Sequence, residues 1–362
     1  MEKIQSKGED MVNIVDIKDI DSNTSTKNEE LETDFIKESI QLKNSKYLIN
    51  TTCAIKNTLT EDINKIVKEY NDTSDKIIEG YIPAGCGGNE GTKNILDIEN
   101  IEVFPDLVIE RGFGTYFTSK FTNKFLKKDY FKSIKRNAIN KDFLGLGIDD
   151  SDYYTPYAVI PFLIVIDKTK IGNLKVPNKW SDLLDPMYRD NIIIGGNEKD
   201  ISDILLLYIY KEHGEAGIEK LASNVKNKMH WTKMIKLLGT QKEESTAIYV
   251  MPWFFAEACP KDKDILVVWP EDGAIISPMY MILKELMVKN MKVIIDFVNG
   301  VDFGKKSAKV FYPVLNPEVN NNLPKNAFLK WIGWDYLMSN NIEELRKYTK
   351  DIFMNNFKNE CN

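Results

Sequence analysis

The residues best placed for chemistry stand on short turns that contain glycine. In VVWPEDGAIISP (267–278), Glu271 and Asp272 adjoin a glycine between two apolar runs. Paired carboxylates on such a turn are expected either where a hairpin faces water or where a loop forms one wall of a binding cleft. This turn is therefore a candidate for ligand contact, and both interpretations stay open at the level of the motif.

A second candidate is the loop AGCGGN (84–89), which follows the apolar stretch KIIEGYIP. Cys86 could ligate a soft metal or contact a ligand, with Gly87 and Gly88 beside it, or it could simply fill a tight loop. The loop lacks both the GK[ST] ending of a P-loop and the GxGxxG spacing of a dinucleotide site. No histidine stands near it in the sequence, so a nucleophilic role is not favoured.

Four further loops could contact a ligand, although each is also typical of an ordinary turn. RGFGT (111–115), YYTP (153–156) and MPWFF (251–255) combine backbone N–H groups with aromatic rings. GGNEKD (195–200) precedes a predicted helix, whose N-terminus would offer N–H donors to an anion unless an asparagine caps it. The candidate residues in these loops are Phe113, Gly114, Thr115, Tyr153, Tyr154, Gly196, Asn197 and Trp253.

The composition argues against several classes of site. The 362 residues include two histidines, His213 and His230, and four cysteines without a CxxC pair, so a Cys/His zinc site is not expected. No Ser–His arrangement, catalytic carboxylate pair or metal triad can be assigned, and no particular cofactor is indicated. A net charge of −6 does not favour nucleic acid as a partner.

The elements that must position these loops alternate between strands and helices. The apolar runs KIIEGYIP and FPDLVIE predict strands, and each precedes a glycine loop and then a helical pattern. This order is typical of an α/β fold with a parallel sheet, in which ligands bind at the carboxyl ends of the strands. Two longer apolar runs, 157–166 and 275–283, predict extended strands.

The N-terminal region differs from the rest of the chain. Residues 1–50 are expected to form a disordered acidic tail, because they contain 11 acidic residues, 7 lysines and few apolar side chains. Residues 51–74 are expected to form a helical lead-in. Neither an apolar leader nor a membrane-spanning run is visible. With four scattered cysteines, the chain as written is expected in the cytoplasm, or outside the cell or associated with a membrane if its start is misassigned.

The segment VPNKWSDLLDPMYRDNIIIGG (176–196) resembles the P-x-x-W-x-D-L-x-D-P-x-Y segment of type II periplasmic binding proteins. It is most similar to the branch that serves iron, polyamine and related small-solute ABC transporters. The resemblance covers about residues 75–340 and implies a two-lobed α/β fold with two crossover segments that form a hinge. It implies a lobe I of residues 75–166 and 270–362 and a lobe II of residues 167–269.

The resemblance also implies a function. A small polar solute would be captured in the interlobe cleft by hinge closure and passed to an ABC transporter permease, without insertion of this chain into the membrane. Glu271 and Asp272 would stand at the hinge side of the cleft. Ferric iron is not favoured, because the Tyr153–Tyr154 pair has no histidine in an expected cleft loop. The alternatives are a cytoplasmic ligand sensor and an enzyme that reuses the fold.

Overall fold

The computed structural model describes residues 45–83, 94–197 and 200–357. The strands in these ranges are β1 (Tyr47–Ile49), β2 (Gly80–Tyr81), β3 (Leu107–Arg111), β4 (Tyr154–Asp167), β5 (Ile192–Gly195), β6 (Val225–Met229), β7 (Ile248–Pro252), β8 (Ile265–Val268), β9 (Ala274–Leu283) and β10 (Leu329–Lys330).

The α-helices in the same ranges are α1 (Cys53–Thr73), α2 (Ser119–Lys124), α3 (Lys168–Ile171), α4 (Asp203–Asn224), α5 (Trp231–Leu237), α6 (Trp253–Glu257), α7 (Lys292–Asn299), α8 (Val301–Lys309), α9 (Trp334–Ser339) and α10 (Ile342–Asn356). Short 3-10 helices span Asn94–Asp97, Ile101–Val103, Thr115–Phe117, Leu126–Lys128, Lys141–Phe143, Trp180–Leu184, Pro186–Tyr188 and Glu285–Met287.

These strands form one mixed sheet in the order β2-β1-β3-β9-β4-β7-β5-β6, with β10 beside β9 and β8 beside β4. On one side β1 pairs in parallel with β2 and β3, and on the other β5 pairs in parallel with β6 and β7. The α/β class expected from the sequence is therefore confirmed. Each parallel group ends its strands at a common edge, where ligand-binding loops can form.

The two long strands join the parallel groups. All residues of β4 and of β9 are buried, so each is apolar on both faces, as in a sheet covered on both sides. β4 pairs with β9 from Tyr154 to Pro161, and with β7 and β8 from Phe162 to Asp167. The long apolar runs 157–166 and 275–283 are thus extended strands, and β4 crosses from one group to the other.

The N-terminal strand was not expected from the sequence. Tyr47–Ile49 is buried between β2 and β3, so the predicted tail of residues 1–50 is wrong for residues 45–50. Residues 1–44 lie outside the described part of the chain. The strand has three residues within a polar surrounding, so average composition could not distinguish it from a tail.

Helix α1 is the helical lead-in, but it follows the first strand of the sheet instead of preceding the sheet. Its buried side chains are Ile55, Leu59, Ile63 and Val67, which recur every four residues and so form one apolar stripe. Thr52 is the N-cap residue, so the helix starts directly after the loop that leaves β1.

The C-terminal helix packs against α4, beside the β5–β6–β7 group. Arg346 forms an ion pair with Asp203, and Lys350 with Asp200 over 2.8 Å. The expected assignment of residues 270–362 to lobe I stays a prediction, and the packing of α10 on α4 bears on its last helix. The sequence pattern predicted the helix but not the partner that its apolar face would cover.

Helix α4 is interrupted at Gly214, whose φ of 61° and ψ of −157° are not helical. Gly214 thus bends the helix, and a second helical stretch continues to Asn224. In the part of the chain that the structure describes, no helix has both the length and the apolar character that a membrane span needs.

Candidate functional site

Polar residues converge where β1 and β3 end. Ile49 of β1 pairs with Ile109 of β3, and the Asn50 N–H donates a hydrogen bond to the Ile109 carbonyl over 2.9 Å. Because the two strands are parallel, the residues that follow them leave the sheet at the same edge. Thr51 and Arg111 consequently stand near each other at the start of α1.

Two threonine hydroxyls at the N-terminus of α1 are unpaired. Thr51 is 3% exposed, yet neither its Oγ1 atom nor that of Thr52 has a hydrogen-bond partner among the described residues. Leaving a buried hydroxyl unpaired costs about 1–3 kcal/mol, so such groups usually have a partner. The first N–H groups of this 21-residue helix lie beside them, at the positive end of the helix dipole.

The same region carries two cationic side chains. The Nε atom of Arg111 is buried without a hydrogen-bond partner, and no carboxylate of the described residues forms an ion pair with this guanidinium. On the first turn of α1, Lys56 donates a hydrogen bond to the carbonyl of Pro83. Burial lowers the pKa of Lys56, and the nearby positive charge of Arg111 lowers it further. The two like charges therefore repel each other.

Glu110 lies beneath this region and is 2% exposed. Its carboxylate accepts hydrogen bonds from Asn50 Nδ2 over 2.8 and 3.0 Å, and from the Arg111 backbone N–H over 3.0 Å. Burial raises the pKa of Glu110 to about 7, although the Arg111 charge and these hydrogen bonds oppose the increase. The charge beneath the site therefore changes near neutral pH.

Two tyrosines complete this group of polar residues, called the polar cluster below. Its members are Thr51, Thr52, Lys56, Glu110, Arg111, Tyr157 and Tyr312. The hydroxyl of Tyr157, on β4, is buried and has no partner at hydrogen-bond geometry among the described residues, although the Thr51 hydroxyl lies close to it. Burial strongly raises the pKa of Tyr157. Burial also raises the pKa of Tyr312 to about 12, with opposing effects from the Thr52 hydroxyl and the Arg111 charge. Both phenols are therefore neutral hydrogen-bonding groups at physiological pH.

Aromatic side chains from the other parallel group lie against this cluster. At the carboxyl end of β7, Trp253 contacts Phe311 with ring centroids 5.0 Å apart, and Phe254 contacts Tyr312 at 6.2 Å. Trp253 is 4% exposed and its indole N–H donates to Glu257 over 3.2 Å. These ring contacts close one side of the space between the two halves of the sheet.

A second concave region lies at the carboxyl ends of β5 and β6. It is a cavity of about 270 Å³, and its lining includes the predicted residues Gly196 and Asn197 together with His230 and Trp231. Asp203 and Asp200 in its wall already pair with Arg346 and Lys350. Burial lowers the pKa of His230. Within the described residues, no group of three or more His, Cys, Asp or Glu side chains could hold a metal ion.

The carboxylates at 271–272 do not face either region. Asp272 accepts a hydrogen bond from the Trp180 backbone N–H over 3.3 Å and pairs with Lys330 over 3.0 Å. The Trp180 indole N–H donates to the Gly273 carbonyl over 2.8 Å, and the Glu271 N–H to the Asn178 carbonyl over 2.7 Å. The turn thus locks onto the W-x-D-L-x-D-P segment, which gives Asp272 structural partners, and the expected ligand role of both carboxylates stays a prediction.

Gly273 within this turn has a φ of 93°, and a Cβ atom there would lie 3.0 Å from the Phe328 ring. Glycine is therefore a backbone requirement at this position.

Several other predicted contact residues belong to the core. Tyr154 is fully buried, stacks against Phe117 and donates its hydroxyl to the Tyr116 carbonyl over 2.7 Å. Phe113 is 3% exposed and packs edge-on against Phe117. Three more predicted residues have structural positions, in that Gly114 and Thr115 begin a buried 3-10 helix and Tyr153 packs against the core.

Cys86, Gly87 and Gly88 lie outside the described residues. Cys53, at the start of α1, is disulfide-bonded, and Cys259 is free and buried, so the partner of Cys53 also lies outside the described residues.

Sequence reasoning missed the residues that form the polar cluster. Thr51 and Thr52 were placed in a lead-in before the sheet, and Arg111 was passed over in favour of the glycines that follow it. The available signal was an apolar triplet, YLI, directly followed by NTT and a helical pattern. Strand, capping residues and helix in immediate succession indicate a site at the carboxyl end of a strand.

Comparison with known proteins gives one family match. Residues 102–340 match the model of a family described as bacterial extracellular solute-binding protein. No curated protein sequence matches this chain at a significant level.

Solved structures share the fold at low sequence identity. An ABC transporter structure from Clostridium perfringens is 16% identical, with a TM-score of 0.59 and coverage of 86% of this chain and 99% of that one. The apo ferric ion-binding protein A of Pasteurella haemolytica is 13% identical, with a TM-score of 0.59 and coverage of 88% and 99%. The periplasmic binding protein AfuA of Actinobacillus pleuropneumoniae is 14% identical, with a TM-score of 0.54 and coverage of 85% and 98%.

Proposed function

Because the chain belongs to the bacterial extracellular solute-binding protein family, we propose that it captures a small polar solute between two lobes as the substrate-binding component of an ABC transporter. The transporter role is supported by the fold that the chain shares with an ABC transporter structure. The solutes named for structures of this fold include ferric ion and fructose 6-phosphate, so the fold by itself does not select a ligand.

Family membership corrects the expected location of the protein. The cytoplasmic assignment is wrong, because the family is extracellular. The disulfide at Cys53 agrees with an oxidising compartment, whereas four scattered cysteines had suggested a reducing one.

The observation that carries the proposal is the set of buried, unpaired polar groups at the carboxyl ends of β1 and β3. The hydroxyls of Thr51 and Tyr157 and the Nε atom of Arg111 have no partner among the described residues. A bound solute could supply those partners, so the groups are arranged for a ligand at this edge of the sheet.

The proposed lobes follow from the sheet. Lobe I contains the β2-β1-β3 group, lobe II contains the β7-β5-β6 group, and α10 belongs to lobe II because it packs on α4. β4 and β9 act as the hinge, since they run between the groups. Closure would press Trp253 and Phe254 onto Phe311 and Tyr312, as in the contacts described above.

We propose no enzymatic step for this chain. The family is one of solute-binding proteins. Burial raises the pKa of the Cys259 thiol to about 12 and strongly raises the pKa of the Tyr157 phenol. Neither group is therefore activated as a nucleophile, and each is neutral at pH 7.

A screen of solutes by thermal denaturation tests the proposed function. Amino acids, polyamines, metal chelates, sugars, sugar phosphates and inorganic anions are added in separate wells. A ligand that binds only the folded protein stabilises it by about 2.7 kcal/mol at 100 times its Kd, so at least one class should raise the melting temperature clearly. Absence of any shift across all classes would contradict the proposal.

A further inference from the structure

The polar cluster in lobe I has a positive electrostatic potential, which favours an anionic ligand. Arg111 has no ion-pair partner among the described residues, and Lys56 on the first turn of α1 lies close enough to feel its positive charge. The N-terminus of α1 adds the positive end of a helix dipole. Three sources of positive potential thus meet at one edge of the sheet, and a polyamine or a metal cation would be repelled there.

The hydroxyl groups indicate oxygen acceptors on the ligand. Thr51 is 3% exposed and Tyr157 is 2% exposed, and neither hydroxyl has a partner among the described residues. Each of them can donate a hydrogen bond, as can the unpaired Nε of Arg111 and the first N–H groups of α1. A ligand with several negatively charged oxygen atoms would satisfy all of these donors at once.

We infer that the solute carries a doubly charged oxyanion, a phosphate group in the first instance, which binds at the N-terminus of α1 between the hydroxyls of Thr51 and Thr52 and the guanidinium of Arg111. This inference rests on the proposed function, since it names the class of solute for the same cleft. The guanidinium of Arg111, the nearby positive charge of Lys56 and the N-terminus of α1 favour a dianion such as a phosphate monoester over a singly charged carboxylate.

Neutral sugars and ferric ion fit these residues less well. A neutral sugar would leave the Arg111 guanidinium without an ion-pair partner in a partly buried position. A ferric ion would need ionised oxygen ligands, and burial raises the pKa of both Tyr157 and Tyr312, which keeps the phenols protonated. The charge and the donors of the site therefore favour an oxyanion over both.

The test uses isothermal titration calorimetry on the full chain at constant ionic strength. The probes are inorganic phosphate, sulfate, acetate and putrescine, and the matched pair glucose 6-phosphate and glucose. We expect phosphate, sulfate and glucose 6-phosphate to bind, and glucose, acetate and putrescine to bind at least about tenfold more weakly, because a hydrogen-bonded charge contact is worth a factor of about ten or more.

Two variants with matched controls locate the site. Arg111→Gln should weaken sulfate binding by about tenfold to a hundredfold, and Thr51→Val by a few-fold to about tenfold. Arg189→Gln removes one exposed positive charge elsewhere, and Thr349→Val removes a fully buried hydroxyl on α10. Neither control should change sulfate affinity. Thr51→Val should also melt without ligand at a temperature equal to or above that of the wild type, because it removes an unpaired buried hydroxyl.

The possible outcomes separate this inference from the proposed function. Oxyanion binding that both variants weaken and both controls preserve supports the inference. Oxyanion binding that Arg111→Gln and Thr51→Val leave intact overturns it, because the anion then binds elsewhere. If glucose, acetate or putrescine binds more tightly than every oxyanion, the inference is wrong while the proposed function stands. If no solute in this set or in the thermal screen binds, both are wrong.

Discussion

At the scale of single residues, Glu110 is the group whose charge changes near neutral pH. Its pKa in the folded protein is about 7, against an ordinary value of 4.5, so the folded state holds this proton more tightly than the unfolded chain does. The resulting stabilisation is fully present below about pH 4.5 and is lost as the pH rises through about 7. At about 1.4 kcal/mol per pKa unit, the full effect is about 3 kcal/mol.

Comparison of the wild type with Glu110→Gln by urea denaturation measures this effect. The free energy of unfolding of the wild type relative to the variant should fall by up to about 3 kcal/mol between pH 4.5 and pH 8, because only the wild type has this group to ionise. A difference that is constant across this range would show that Glu110 is not perturbed.

The same group should control affinity for an anion. Sulfate does not titrate in this range, so any change in its binding reports on the protein. Arg111, Tyr116, Tyr157 and Tyr280 are the titratable groups whose charges interact with Glu110, and burial raises the pKa of each of the three phenols. We therefore expect calorimetric sulfate affinity to weaken between pH 6 and pH 8 in the wild type, and to weaken less in Glu110→Gln.

Asp272 is expected to affect the stability of the protein but not its affinity for the solute. Its carboxylate holds the Trp180 backbone N–H and the Lys330 ammonium, and Lys330 also pairs with Glu212 over 2.7 Å. Asp272→Ala should therefore lower the free energy of unfolding by about 1–2 kcal/mol, since it removes hydrogen bonds to partly buried groups. Solute affinity measured on the folded variant should match the wild type, and a large loss of affinity with unchanged stability would show that Asp272 contacts the ligand instead.

These residues show why the sequence motif was informative about the fold but not about the partners of its carboxylates. The carboxylates at 271–272 looked like ligand contacts because sequence shows polarity but not the partners that satisfy it. Trp180 and Lys330 lie 92 and 58 positions away from Asp272 along the chain. The sequence does not single out Arg111 for the same reason, because its lack of an ion-pair partner among the described residues is visible only in three dimensions.

At the scale of elements, the junction between β1 and α1 is fixed at several points. Asn50 binds the end of β3 and Glu110, and Lys56 binds the Pro83 carbonyl. Cys53, between them, is disulfide-bonded. The N-terminus of α1 is therefore held rigidly at the edge of the sheet, as a binding site formed by hydroxyls and backbone N–H groups requires.

Reduction of this disulfide should destabilise the protein. We expect the free energy of unfolding to fall by about 2–4 kcal/mol when a reductant is added, because cross-linking constrains the unfolded chain. Denaturation with and without reductant measures the loss. Cys53→Ser is the control, and its stability should not respond to reductant, since the other described cysteine, Cys259, is free and buried. If the free energy of unfolding of the wild type does not change when reductant is added, the disulfide does not stabilise the fold.

The elements differ in how well the sequence predicts them. β4 and β9 are long runs of apolar residues, and α1 has an apolar side chain every fourth residue, so periodicity alone indicates all three. β1 has three residues and gains its stability from its neighbours β2 and β3, which are distant in sequence. Without β1, the predicted sheet starts after Thr51. The candidate site at the carboxyl end of β1 is therefore not predicted from the sequence.

At the scale of the whole molecule, two parallel groups joined by β4 and β9 define the architecture. The resemblance to type II periplasmic binding proteins implied a two-lobed arrangement with two crossover segments, and in the structure the W-x-D-L-x-D-P segment and the return turn lock together. It did not indicate that α10 packs on α4, because the contacts between these helices join residues that are distant in sequence.

The central claim is that a solute closes the two lobes over the site at the N-terminus of α1. Small-angle X-ray scattering, with and without the solute that gives the largest thermal shift, tests it most directly. The ligand should shift the population towards the form in which Trp253 and Phe254 contact Phe311 and Tyr312. We predict that the radius of gyration falls on saturation in the wild type and not in Arg111→Gln at the same solute concentration. A radius of gyration that stays constant while the solute is bound would contradict the account.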